Sequence, residues 1–110
     1  MKLPNWDRAT IPSSKITDYL LSFTHRDGRF KAAFFARFGF THDDWTLLAD
    51  ALLEHVREHE VADEGLSPFG IKYVIEGPLL CPDGRSPLVR TVWFIETGES
   101  EPRFITAYPL

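Results

Sequence analysis

Apolar and polar positions change period once along this chain. From Met1 to His59 apolar residues recur at helical spacing, and from Phe69 to Tyr108 they alternate in strand fashion between turn residues. Ile11-Pro12-Ser13-Ser14 supplies a fixed turn and capping hydroxyls ahead of a first helix over Lys15 to Leu21, with Ile16, Tyr19 and Leu20 at i, i+3, i+4. After Asp27-Gly28, a second helix carries Phe30, Ala33, Phe34 and Phe38 and stops at Gly39. Thr41-His42-Asp43-Asp44 reads as a capping-box variant opening a third helix, whose stripe is Trp45, Leu48, Ala49, Leu52 and Val56. Past Pro68 the period is two: Ile71, Tyr73 and Ile75 point one way, Lys72, Val74 and Glu76 the other, to a strand end near Gly77-Pro78. The turn Pro82-Asp83-Gly84-Arg85 separates this strand from Leu88 to Glu96, a polar loop runs from Thr97 to Pro102, and a last strand covers Arg103 to Tyr108. A further short strand fits around Leu79 to Cys81. The pattern predicts an α+β fold: three N-terminal helices, about 13–60, packed on a C-terminal antiparallel sheet of three to four strands, about 68–109.

At 110 residues, 44% hydrophobic and 14% aromatic, the composition suits one globular domain with one core, residues 1–110. Cys81 is the single cysteine, which excludes an intramolecular disulfide. The segment Met-Lys-Leu-Pro-Asn-Trp-Asp-Arg lacks the apolar run of a signal or membrane span, so a cytoplasmic protein without membrane association is expected. Exposed sheet edges permit dimerisation without predicting it.

The net charge of -4 speaks against a generic nucleic-acid binder, but its distribution is uneven. Residues 1–40 carry +4, whereas residues 41–66 carry -7, so a basic lobe stands beside an acidic helix. Within the basic lobe, Arg26, Arg29 and Lys31 surround Gly28 next to His25 at the entrance of the second helix. Free backbone N–H groups there, with cationic side chains, suit a phosphate, and an adjacent histidine suits proton transfer. Surface stems covering phenylalanines would produce the same composition.

Three other groupings bear weighing. His-Val-Arg-Glu-His at 55–59 matches an inverted zinc-protease pattern, but the chain is too small for that architecture, and histidines at a helix C-terminus need no metal, so none is expected. Lys72, Arg90, Thr91, Thr106 and Tyr108 fall on neighbouring strands, where cations and hydroxyls could oppose charge on a phosphodiester or merely form cross-strand pairs. Trp45, Trp93, Phe34, Phe35 and Phe94 read as core rather than as a base-stacking platform. No motif makes Cys81 a nucleophile, and no cofactor is named.

The stretches K-I-T-D-Y-L-L-S-F-T-H-R-D-G-R-F-K-A-A-F-F-A-R-F-G-F, P-F-G-I-K-Y-V-I-E-G-P-L, P-D-G-R, V-R-T-V-W-F-I and R-F-I-T-A-Y-P resemble an uncharacterised bacterial domain family. Its pattern recurs in C-terminal domains of contact-dependent and other polymorphic toxins, which resemble the ribonuclease fold of barnase, EndoU, the tRNase colicins and RelE. That resemblance implies metal-independent cleavage of tRNA or mRNA and a cognate inhibitor protein. By position the family's histidine before the glycine turn falls on His25, its following lysine on Lys31, its first-strand lysine on Lys72 and its terminal-strand threonine on Thr106. His25 is thereby assigned acid/base work, Lys72 and Arg90 phosphate charge, and Thr106 or Tyr108 substrate holding. The family's usual His-Pro and its second glycine are replaced here by His25-Arg26-Asp27-Gly28-Arg29. The competing expectation is a non-catalytic interaction module, accessory or antitoxin-like, whose acidic third helix meets a basic partner.

Overall fold

Four antiparallel strands follow a helical N-terminal half in the computed structural model, which describes residues 1–110. A 3-10 turn at Trp6–Arg8 precedes α1 (Ser13–Lys15), which runs directly into a π-helical segment, Ile16–Leu20; α2 (Arg29–Arg37) and α3 (Trp45–Glu58) complete the helices. The strands β1 (Val61–Ser67), β2 (Gly70–Pro78), β3 (Leu88–Glu96) and β4 (Arg103–Pro109) pair only with sequence neighbours, in the order β1-β2-β3-β4. The α+β expectation holds, but the fourth strand is Val61–Ser67. Leu79 to Cys81 instead prolongs the β2–β3 hairpin through Leu79 N–H to Pro87 O (2.9 Å) and Cys81 N–H to Arg85 O (3.0 Å).

Alternation decides which sheet face is buried. Tyr73, Ile75, Val89, Trp93, Phe104 and Ala107 face the helices, with the buried hydroxyl of Thr91 among them, and one cluster of 17 buried residues joins those six to Ile16, Leu20, Leu21, Phe35, Leu48, Leu52 and Val56. The opposite face carries Lys72, Val74, Glu76, Arg90, Phe94, Thr106 and Tyr108, of which all but Lys72 are half-buried. Thr10 closes the outer edge of β4: its N–H donates to Pro102 O (3.0 Å) and its carbonyl accepts from Phe104 N–H (3.0 Å). No helix is long and apolar enough to cross a membrane.

The helices begin and end largely where their signals stand. Thr41 Oγ1 accepts from Asp44 N–H (3.2 Å), half of the expected capping box, and Gly39 takes φ 101° after α2, a left-handed exit that glycine adopts without strain. Below it, Arg85 of the hairpin turn donates to Arg37 O (2.8 Å) and lies 4.3 Å from the Phe38 ring centroid. The buried stripe of α2 differs from expectation: Ala32 and Phe35 are inside, Ala33 is exposed and Phe30 is 71% exposed. The phase is set by Gly28, which starts a 28, 32, 35 stripe by touching the π segment.

Candidate functional site

The π segment builds the site. Leu21 N–H reaches back to Ile16 O (2.8 Å), an i→i+5 turn that brings Ile16, Leu20 and Leu21 to the core together. Tyr19, expected in the apolar stripe, is thereby turned out toward the edge of β4, where its hydroxyl hydrogen-bonds Thr106 Oγ1 at 2.9 Å. The ammonium groups of Lys15 and Lys31 lie 5.5 Å and 5.2 Å from the Tyr19 ring centroid, a double cation–π contact. His25 meets the same ring edge-on at 5.0 Å between centroids.

His25 is held by the turn it sits in. Ser22 Oγ accepts from His25 N–H (3.1 Å), and His25 Nδ1 accepts from both Asp27 N–H and Gly28 N–H (2.9 Å each). Its carbonyl accepts from Arg29 N–H at 3.1 Å. Three of the N–H groups at the entrance of α2, those of Asp27, Gly28 and Arg29, are thus taken by His25 itself rather than left free for an anion. Two donors on Nδ1 place the proton of the ring on Nε2. Acid/base work by this histidine would require breaking both bonds; what the geometry offers is an Nε2–H donor.

These groups line an open cleft of about 550 Å³: Ser14, Lys15, Asp18, Tyr19, His25, Asp27, Ile105 and Thr106. The expected residues distribute unevenly around it. His25 and Thr106 share the cleft, and Lys31 stands behind Tyr19. Lys72 lies on the same outer sheet face in an adjoining trough. Arg90 is committed elsewhere: Nε donates to Glu76 (2.6 Å), Nη1 to the Tyr108 hydroxyl (3.4 Å), and its guanidinium sits over the Tyr108 ring. These bonds to Tyr108 and Glu76 push the guanidinium pKa further up. Arg26 and Arg29 are exposed, Arg29 over the Phe30 ring at 4.8 Å. Sequence reasoning missed Lys15, Asp18, Tyr19 and Asp27; the signal available was Lys15, Asp18 and Tyr19 at i, i+3, i+4.

Gly28 makes this arrangement possible. A Cβ there would lie 2.1 Å from the Tyr19 carbonyl oxygen and 2.8 Å from its carbon, so turn and π segment meet backbone to backbone. Gly28→Ala is expected to cost about 3 kcal/mol, at the upper end for overpacking, because a main-chain carbonyl has no rotamer to escape into. Thermal denaturation should show a midpoint lowered by about 10 °C or more; an unchanged midpoint would contradict this contact.

The other candidates resolve differently. His55 Nε2 donates to Gly77 O (3.1 Å), and the half-buried His59 points its Nε2 at Pro78 O (2.9 Å). Cys81 is buried with its thiol directed at Leu79 O (3.2 Å), and burial, with Asp83 adding to it, pushes its pKa to about 11, so it is a thiol at neutral pH.

Residues 2–110 match a family model described as "Domain of unknown function (DUF6883)". No curated protein matches the chain. Among solved structures, one chain of "Contact-dependent growth inhibition toxin - immunity protein complex from Klebsiella pneumoniae 342" superposes with TM-score 0.72 at 17% identity, covering 91% of this chain and 98% of that one. At that identity the likeness shows a shared fold.

Proposed function

Since the chain belongs to the DUF6883 family, whose description carries no activity, its chemistry has to come from its own cleft, and we propose that it is a toxin-type endoribonuclease acting on tRNA or mRNA without a metal ion. The observation that carries this reading is His25: its Nδ1 is locked by two backbone N–H groups, leaving an Nε2–H donor in an open cleft with Lys15, two carboxylates and the Tyr19–Thr106 hydroxyl pair. The fold shared with a chain from a toxin–immunity complex supports it.

In this reading a ribose 2′-oxygen attacks the adjacent phosphorus and the phosphorus–O5′ bond breaks, leaving a 2′,3′-cyclic phosphate and a 5′-hydroxyl. Asp18 or Asp27 takes the 2′-hydroxyl proton. His25 Nε2–H and the Lys15 ammonium hydrogen-bond the non-bridging oxygens, where negative charge grows in the transition state. The Tyr19 hydroxyl, positioned by Thr106, hands a proton to the departing 5′-oxygen. Lys72 meets a flanking phosphate, and a cognate inhibitor protein would cover the cleft.

Total tRNA and a structured mRNA incubated with the protein in EDTA test the assignment. Wild type should cleave both, leaving 2′,3′-cyclic ends. Tyr19→Phe should cleave at least about 100-fold more slowly if its hydroxyl is the acid, while losing only about 1 kcal/mol of stability with the Thr106 bond. Intact RNA across a broad pH range at high protein concentration would move the assignment to the interaction module. That second reading has its own support in the outer edge of β1, where Leu66 is 82% exposed beside Asp63 and Glu64.

A further inference from the structure

A second depression on the outer sheet face adjoins the cleft, and its lining differs in kind. Gly65, Leu66, Ser67, Lys72, Phe94 and Ile105 form a trough of about 390 Å³ running transversely across all four strands. Phe94, expected in the core, is instead half-buried on this face. The tip of its ring reaches Gly70, where a Cβ would lie 2.7 Å from the ring Cζ.

The β3–β4 register explains why trough and cleft meet. Val92 pairs with Thr106 but Trp93 pairs with Phe104, so Ile105 is the extra residue of a β-bulge. Re-aimed by the bulge, Ile105 lines both depressions. At the far end the Lys72 stem crosses β1, with Cε 3.7 Å from where a Gly65 Cβ would be. Unlike Arg90, Lys72 joins none of the ion pairs, which involve Met1, Arg57, Arg85, Arg90 and Arg103.

A half-buried aromatic ring lining the trough, an aliphatic wall and an uncommitted ammonium fit a planar π-system that carries a phosphate. We propose that this trough is a nucleobase subsite, in which the base flanking the scissile phosphate stacks on Phe94 against Ile105 while Lys72 holds the next phosphate. The assignment rests on the ribonuclease reading for its substrate. Stacking is sequence-tolerant, so the subsite selects unpaired RNA rather than a base identity.

The test is binding of a fluorescent, non-cleavable 2′-O-methyl trinucleotide, and of the same oligomer with an abasic central residue, followed by anisotropy. Phe94→Leu keeps an apolar side chain over Gly70 and removes the π-face, and circular dichroism verifies that it folds. A stacked base contributes about 1–3 kcal/mol, so Phe94→Leu should weaken the intact oligomer about 5- to 150-fold and leave the abasic one unchanged. Lys72→Ala should weaken both and flatten the salt dependence by about one counterion. Wild type that cleaves RNA while Phe94→Leu binds and cleaves equally well overturns the subsite and leaves the nuclease standing. Phe94-dependent binding without any cleavage does the reverse, and no binding to either oligomer overturns the subsite outright.

Discussion

His25→Asn should lower kcat on RNA about 10²- to 10³-fold while leaving the thermal midpoint nearly unchanged. Asparagine is chosen because its side-chain oxygen can occupy the position of Nδ1 and go on accepting from Asp27 and Gly28 N–H, which keeps the turn and the start of α2 in place. What disappears is the Nε2–H, and losing one preorganised donor to a developing phosphorane charge carries about that penalty. Because the lost contact strengthens only in the transition state, KM should move little. His25→Ala should show the same kinetic loss together with about 1–2 kcal/mol of destabilisation, since two N–H groups lose their acceptor. Single-turnover cleavage alongside thermal melts separates the cases; full activity in His25→Asn would remove His25 from the mechanism.

The second large effect is on stability and comes from the C-terminal end of α3. His55 is 2% exposed, and its polar atoms close a chain: Trp93 Nε1–H donates to Thr91 Oγ1 (3.0 Å), the Thr91 hydroxyl faces His55 Nδ1 (3.4 Å), and His55 Nε2–H donates to Gly77 O (3.1 Å). Burial lowers its pKa from 6.5 to about 4; the bond to Gly77 resists the change, and His59, 4.7 Å away between ring centroids, adds to it. The unfolded chain therefore binds a proton below pH 6.5 that the folded chain refuses until about 4. Stability from this group is complete above pH 6.5 and is lost as pH falls through that window, about 3 kcal/mol in all at ~1.36 kcal/mol per pH unit. His55→Gln keeps a donor for Gly77 and cannot titrate. Urea denaturation at pH 7 and at pH 4.5 should show wild type losing about 2–3 kcal/mol more than the variant. The carboxylates held low by arginine, Glu54 by Arg57 and Asp83 by Arg85, contribute equally to both proteins. Parallel slopes would contradict the assignment.

What could be read from the sequence depended on how local the deciding force was. The alternation in β2, the stop at Gly39 and the stripe of α3 are written within a few residues of where they act. Tyr19 was not legible, because the π turn that rotates it outward satisfies Leu20 and Leu21 at once and leaves a spacing that also reads as an ordinary helix. Val61–Ser67 lacks alternation, with most of its side chains exposed, and becomes a strand only because β2 offers it a partner. Of the residues that line the candidate cleft, His25 and Thr106 stood out in the sequence, but the loss of Arg90 to Glu76 required knowing that β2 and β3 pair in that register.

Every strand of the meander pairs with its sequence neighbour, whereas the hydroxyl bond between Tyr19 and Thr106 spans 87 residues. Hairpins close over short loops and pay little chain entropy, so the sheet can assemble before the helical half docks against β4. The two walls of the cleft come from opposite ends of the chain, which makes the assembled cleft the last feature the molecule acquires on folding and the first it surrenders when that docking loosens.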